Sequence, residues 1–143
     1  MVSASSLTFF DTSTLVAALF PDHPRHEWAM TQKRAATALG ISTHTLAETY
    51  KVLTVHPQLG IQPTDAVSLL EAATANMTRV VLDAPLYFAA MRRCVEGGLP
   101  GSVIFDALIA QAAIEARATQ LVTLNPRDFN HLGADVAGIV VHP

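Results

Sequence analysis

Short apolar runs, each a few residues long, alternate along this chain with longer helical patterns. That alternation constrains the fold more than any other feature. Strands separated by helices are joined by crossovers rather than hairpins, and therefore lie parallel in one sheet with helices on its faces. The first run, Leu7 to Phe10, ends in Asp11 and reads as a buried strand. Residues 13–20 continue as a short helix closed by Pro21, and a second helix covers about 26–38. A strand at Leu39 to Ser42 leads into a helix from about Thr43 to Val55, which stops before Pro57. Pro63, a residue favoured in the first turn, opens a helix to about Ala75.

Arg79 to Leu82 is the next strand, and Asp83-Ala84-Pro85 opens a helix that Gly97-Gly98 ends after Glu96. The loop GGLPGS leads into a strongly apolar helix, Val103 to about Ala118. A strand at Gln120 to Thr123, a turn at Asn125-Pro126 and a last strand at Gly138 to Val141 complete the chain. No repeat, linker or low-complexity segment interrupts it. The expectation is one α/β domain over residues 1–143, with a mostly parallel sheet of about five strands. In such folds ligands sit beyond the carboxyl ends of the strands.

Half of the residues are hydrophobic and 15% are charged, which excludes a disordered chain. The apolar excess leaves surface for a partner or a second copy. The lone Cys94 lies in a helical pattern and cannot form an internal disulfide, which points to the cytoplasm and to a structural role. The N-terminal stretch MVSASSLTFFD lacks a basic segment and is not read as a signal peptide. No apolar run approaches the roughly 20 residues of a membrane span. A net charge of −3 argues against a general nucleic-acid binder, unless cations held by carboxylates offset it where phosphate approaches. The basic pairs Lys33-Arg34 and Arg92-Arg93 read as solvated helix faces.

Two carboxylates stand in costly places. Asp11 lies between FF and TSTLVAALF, and Asp106 lies within VIFDALIAQAAI. An unpaired carboxylate there costs on the order of several kcal/mol unless it is hydrogen-bonded, protonated or cation-bound. A hard divalent cation is one partner. The other reading is helix capping, with Asp11 before the helix at Thr12 and Asp106 in a first turn. Glu48 falls off the apolar stripe Leu46, Tyr50, Leu53 and by periodicity is a solvated residue. Thr123, Asn125 and Asp128 follow a strand, where an Asn-Pro turn also accounts for them. Asp83, with Pro85 after it, is a plain cap. His23 and His26 have ligand-like spacing but no cysteine nearby, and neither Ser13, Ser42 nor Ser102 sits in a nucleophile elbow.

Taken in order, these pieces resemble the PIN domain, and particularly the VapC-type toxins. FFDTSTLVAALF carries the first-strand Asp, ISTHTLAETY the helical Glu, VIFDALIAQAA the Asp opening a long helix, and TLNPRDF the final Thr-x-Asn/Asp-x-x-Asp-Phe element. The resemblance spans Leu7 to Val141. It implies that Asp11, Glu48 and Asp106 converge on Mg²⁺ or Mn²⁺, with Ser13 and Thr123 orienting ligands. Many relatives carry Asp where this chain has Asn125, so Asp128 is the candidate for the missing carboxylate and a fourth catalytic residue. The implied activity is hydrolysis of RNA, with tRNA or rRNA favoured, leaving 5′-phosphate and 3′-hydroxyl ends. The implied partners are a VapB-type antitoxin and a second copy in a homodimer. Trp28, Tyr50 and Tyr87 are aromatic side chains able to stack on bases, though core or dimer contact accounts for each.

Three other readings fit less well. A HAD-type phosphatase needs Asp where this chain has Ser13, and a receiver domain needs an acidic pair after the first strand. A PIN-like module that binds RNA or protein without cleaving is kept open by the missing charge at Asn125.

Overall fold

A computed structural model describes residues 6–143, so the reading of the N-terminal stretch falls partly outside the described residues. Five strands form one sheet: β1 (Leu7–Phe10), β2 (Ala38–Ser42), β3 (Thr78–Val80), β4 (Gln120–Val122) and β5 (Val140–Val141). Their order is β3-β2-β1-β4-β5 and every pairing is parallel. Each crossover uses two helices: α1 (Thr12–Leu19) and α2 (His26–Ala35), α3 (Thr43–Val55) and α4 (Pro63–Ala73), α5 (Ala84–Glu96) and α6 (Ile104–Glu115), α7 (Pro126–Phe129) and α8 (Ala134–Ala137). The α/β class and the five parallel strands are as the alternation predicts.

Side chains alternate across a strand, so a sheet covered on both faces buries consecutive residues. Phe9 and Phe10 show this, each with no exposed surface. Phe9 packs with Leu121 against Ala107, Ile109 and Ala110 of α6. Phe10 packs with Ile41 and Val122 on the opposite face. Gly40 pairs with Phe9 across β1 and β2, and a Cβ there would meet the Phe9 ring at 3.0 Å. The ring occupies space that only a glycine leaves. A third cluster, Leu15, Leu53, Ala66 and Leu70, joins α1, α3 and α4.

Several boundaries differ from the sequence expectation. The apolar helix α6 ends at Glu115 rather than near Ala118, because Arg117 adopts φ 57°. Its N–H reaches the Ile114 carbonyl and the Ala118 N–H reaches the Ala113 carbonyl, a Schellman stop without the usual glycine. The Asn125-Pro126 turn is the entry to the short helix α7. β3 begins at Thr78 and stops at Val80, two residues before the expected end.

Arg93 corrects the reading of Arg92-Arg93 as a solvated pair. It is half-buried and holds Asp135 through two bonds of 2.7 and 2.8 Å, with further bonds to Gln111 and the Leu132 carbonyl. It thereby clamps the C-terminal segment onto α5 and α6. No helix among the described residues is long and apolar enough to cross a membrane.

The sheet order also fixes where a site can form. From β1 the chain moves outward to β2 and β3, then returns over the sheet to β4 on the other side of β1. The carboxyl ends of β1 and β4 therefore flank the point where the winding reverses, where a crevice opens.

Candidate active site

Asp11 follows β1 at this point and is 3% exposed. It caps α1, accepting from the Thr14 N–H at 2.9 Å. It also accepts from the Ser13 hydroxyl at 2.7 and 2.9 Å and from the Thr123 hydroxyl at 2.6 Å. The two hydroxyls are themselves fixed from β4: Leu124 N–H donates to Ser13 Oγ, and Asn125 N–H donates to Thr123 Oγ1. The capping reading of Asp11 is thus realised, and the same carboxylate is held by two further hydroxyls. Burial pushes its carboxyl up, and these hydrogen bonds pull against that rise.

Asp106 lies in the first turn of α6 and makes no side-chain cap hydrogen bond there. Its pKa is pushed up to about 7, first by burial, then by the negative charges of Asp11, Glu48 and Asp128. Asp106 thus keeps the first-turn place that the sequence assigns it, among groups that disfavour its charge unless a proton or a cation offsets it.

Glu48 corrects its periodicity. It is half-buried, accepts from the Thr12 hydroxyl at 2.8 Å, and lies 3.3 Å from His44 Nε2. That histidine nitrogen is buried without a well-aligned hydrogen bond. The reason is tertiary: α1 packs beside α3, so the face of α3 that sequence assigns to solvent looks onto Thr12 instead.

Asp11, Glu48 and Asp106 line one cleft of about 420 Å³, together with Thr12, Ser13, His23 and Asn125. No Lys or Arg lines it. Asp128, half-buried on α7, stands outside the lining, yet its charge is felt at Asp106. Asp83 is the plain cap expected, accepting from Leu86 N–H at 3.1 Å. His26 Nδ1 is engaged with the Ala17 carbonyl and His23 Nδ1 with Arg25 N–H. Trp28 packs under the sheet, Tyr50 lines a separate groove with Arg79, and Tyr87 lies on α5. Sequence reasoning weighed His23 only as a zinc ligand and missed Thr12, His44 and Phe105, whose ring stacks on His44 beside the cleft.

Among the described residues, no three His, Cys, Asp or Glu groups are gathered closely enough to hold a metal ion between them. An open cleft with one or two inward carboxylates still suits Mg²⁺, which keeps several waters and takes substrate phosphate as a further ligand. The donor set therefore fits a hard divalent cation: carboxylate and hydroxyl oxygens, several negative charges, and no competing Lys or Arg in the lining.

Comparison with known proteins agrees with this fold. The PIN domain family model matches residues 8–134. Ribonuclease VapC27 of Mycobacterium tuberculosis is 34% identical over 124 residues, covering 82% of this chain and 83% of that protein. The crystal structure of M. tuberculosis VapC20, described as a sarcin-ricin loop cleaving toxin, superimposes with a TM-score of 0.71 at 20% identity, covering 95% of this chain and 99% of that one. VapBC2 from Rickettsia felis, solved on a promoter DNA fragment, gives 0.68 at 20% identity over 96% and 98% of the two chains. A toxin–antitoxin complex from Klebsiella pneumoniae gives 0.66 at 23% identity over 97% and 98%. At these identities the structural likeness speaks for the fold.

Proposed function

Because the chain belongs to the PIN-domain family, we propose that it is a VapC-type toxin, an endoribonuclease that hydrolyses RNA phosphodiesters with Mg²⁺ or Mn²⁺. The observation that carries this reading is the convergence of Asp11, Glu48 and Asp106 on one cleft with no Lys or Arg in its lining. The PIN domain is taken to span residues 1–143.

Asp11 and Asp106 would hold the cation, with Glu48 completing its shell. Bound there, the cation supplies Lewis acidity, a lowered pKa for a coordinated water and counter-charge for the phosphate. The chain's own residues do the positioning. Ser13, Thr14 and Thr123 fix the Asp11 carboxylate in one orientation, and Thr12 fixes Glu48 beside it. Glu48 is then placed to orient or deprotonate the attacking water. Asp128 contributes negative charge at Asp106 from outside the cleft lining, taking part of the role that Asn125 leaves open. In-line attack by water leaves a 5′-phosphate and a 3′-hydroxyl.

Partners follow from the same reading. The solved relatives titled VapBC and toxin–antitoxin complex support a VapB-type antitoxin as partner. A homodimer is supported by the exposed apolar stripe Tyr87, Phe88, Met91 and Val95 on α5. The substrate is RNA, with tRNA or rRNA favoured, and the lone Cys94 fits a protein of the cytoplasm.

The test is incubation of antitoxin-free protein with total RNA and Mg²⁺ or Mn²⁺, beside an EDTA control and the Asp11→Asn variant. Discrete fragments that vanish in both controls are expected. Full cleavage by Asp11→Asn would remove the mechanism. No cleavage with either metal would return the protein to a non-catalytic RNA- or protein-binding module.

A further inference from the structure

A larger groove of about 690 Å³ opens directly from the carboxylate cleft, since Thr12 and Glu48 line both. Val52, Val55 and Phe105 make its walls apolar, and Lys51 and His56 add basic groups beside the acidic cleft. Phe105 immediately precedes Asp106 and is 51% exposed. One face of its ring is covered by the His44 imidazole, with centroids 5.1 Å apart and planes 4° from parallel. Phe105 thus keeps about half of its surface open beside the candidate reacting groups, with its ring stacked on a partner ring.

We propose that an unpaired base of the RNA strand, next to the scissile phosphate, stacks on the open face of Phe105 and extends the His44–Phe105 stack, while Lys51 meets a neighbouring backbone phosphate. The proposal rests on the ribonuclease reading above. Three features select a base over an apolar peptide. A planar face already stacked on one side presents a surface of base shape and polarity, and every base has a π-face to offer it. A strand whose phosphate enters the carboxylate cleft must carry its adjacent nucleotides over the rim that the two spaces share. Lys51 places positive charge where that strand leaves the acidic cleft, so the groove complements a polyanion. Trp28, Tyr50 and Tyr87 are not among the residues lining either space. The stacking role therefore falls to Phe105.

The test uses the non-cleaving Asp11→Asn protein and short single-stranded RNAs carrying 2-aminopurine at successive positions, with matching strands made abasic there. At one position the fluorophore should be quenched on binding. Adding Phe105→Ala or Phe105→Leu should abolish that quenching and weaken binding roughly tenfold, and Phe105→Tyr should restore both. The abasic strand should bind equally well with or without the Phe105→Ala change, a result that general misfolding would not give. Lys51→Gln should weaken all strands alike, abasic included. Equal quenching and affinity with Phe105→Ala would overturn the proposal. So would loss of binding to a VapB-type antitoxin with RNA binding unchanged, which would make the groove a protein-docking surface. Failure of the wild-type protein to cleave any RNA counts against the nuclease reading alone, because the stacking measurement uses protein that does not cleave.

Discussion

Thr123 donates its hydroxyl proton to Asp11 across 2.6 Å with no exposed surface of its own, and so ties the end of β4 to the end of β1. The same oxygen accepts the Asn125 N–H, which links the loop after β4 to the carboxylate. Thr123→Val removes both bonds at once. It should lower stability by about 1–3 kcal/mol and cut RNA cleavage about 10–100-fold. Thr123→Ser should restore most of each. Thermal melts and cleavage rates on the three proteins check this.

As a ligand in the proposed site, Asp106 would make cation binding depend on pH. With its pKa near 7, a proton competes with the cation below that pH. Metal affinity should therefore rise up to about tenfold per pH unit below 7 and level off above it. The sign for stability is the reverse. The folded pKa lies above the ordinary value of 3.8, so the metal-free protein binds more protons than its unfolded chain between those values. Its stability should fall as pH rises from about 4 to 7, and Asp106→Asn should melt higher than wild type at pH 8 without metal. Added Mn²⁺ should raise the melting temperature of wild type and barely move that of the variant.

Thr12 donates its hydroxyl to Glu48 at 2.8 Å, with a longer contact of 3.4 Å to Thr45. Thr12→Val keeps the shape of a half-buried side chain but leaves Glu48 without the donor at 2.8 Å. Cleavage should fall about tenfold with the melting temperature nearly unchanged, and Thr12→Ser should recover the rate.

Arg117 carries a left-handed backbone at φ 57° where α6 stops. Arg117→Gly should raise stability by roughly 1 kcal/mol without altering cleavage. Denaturant titration measures it. A loss of stability would mean that the Arg117 side chain supports the fold.

The legibility of the site follows the cost of its residues. Asp11 and Asp106 stand out because carboxylates among Phe, Ile and Leu need a reason, and their apolar neighbours are local in sequence. The parallel sheet is equally open, since Phe9 and Phe10 are both apolar and adjacent. Glu48 is not, because its partner Thr12 lies 36 positions away and periodicity sees only one helix at a time. His44 and Phe105 are hidden for the same reason: they meet only where α3 packs on α6. Arg93 shows the limit from the other side. A basic pair on a helix looks solvated until Asp135, 42 positions on, folds back to meet it. The end of α6 escapes a sequence reading because an arginine holds the position where a glycine would mark the stop.

The chemistry of the cut ends tests the central claim most directly. Fragments from a purified RNA substrate, cleaved with Mn²⁺, should carry 5′-phosphate and 3′-hydroxyl groups, as attack by a water positioned among Asp11, Glu48 and Asp106 requires. Fragments ending in 2′,3′-cyclic phosphate, formed equally well in EDTA, would mean that the ribose hydroxyl is the nucleophile and that the carboxylate cleft is not where this protein cuts RNA.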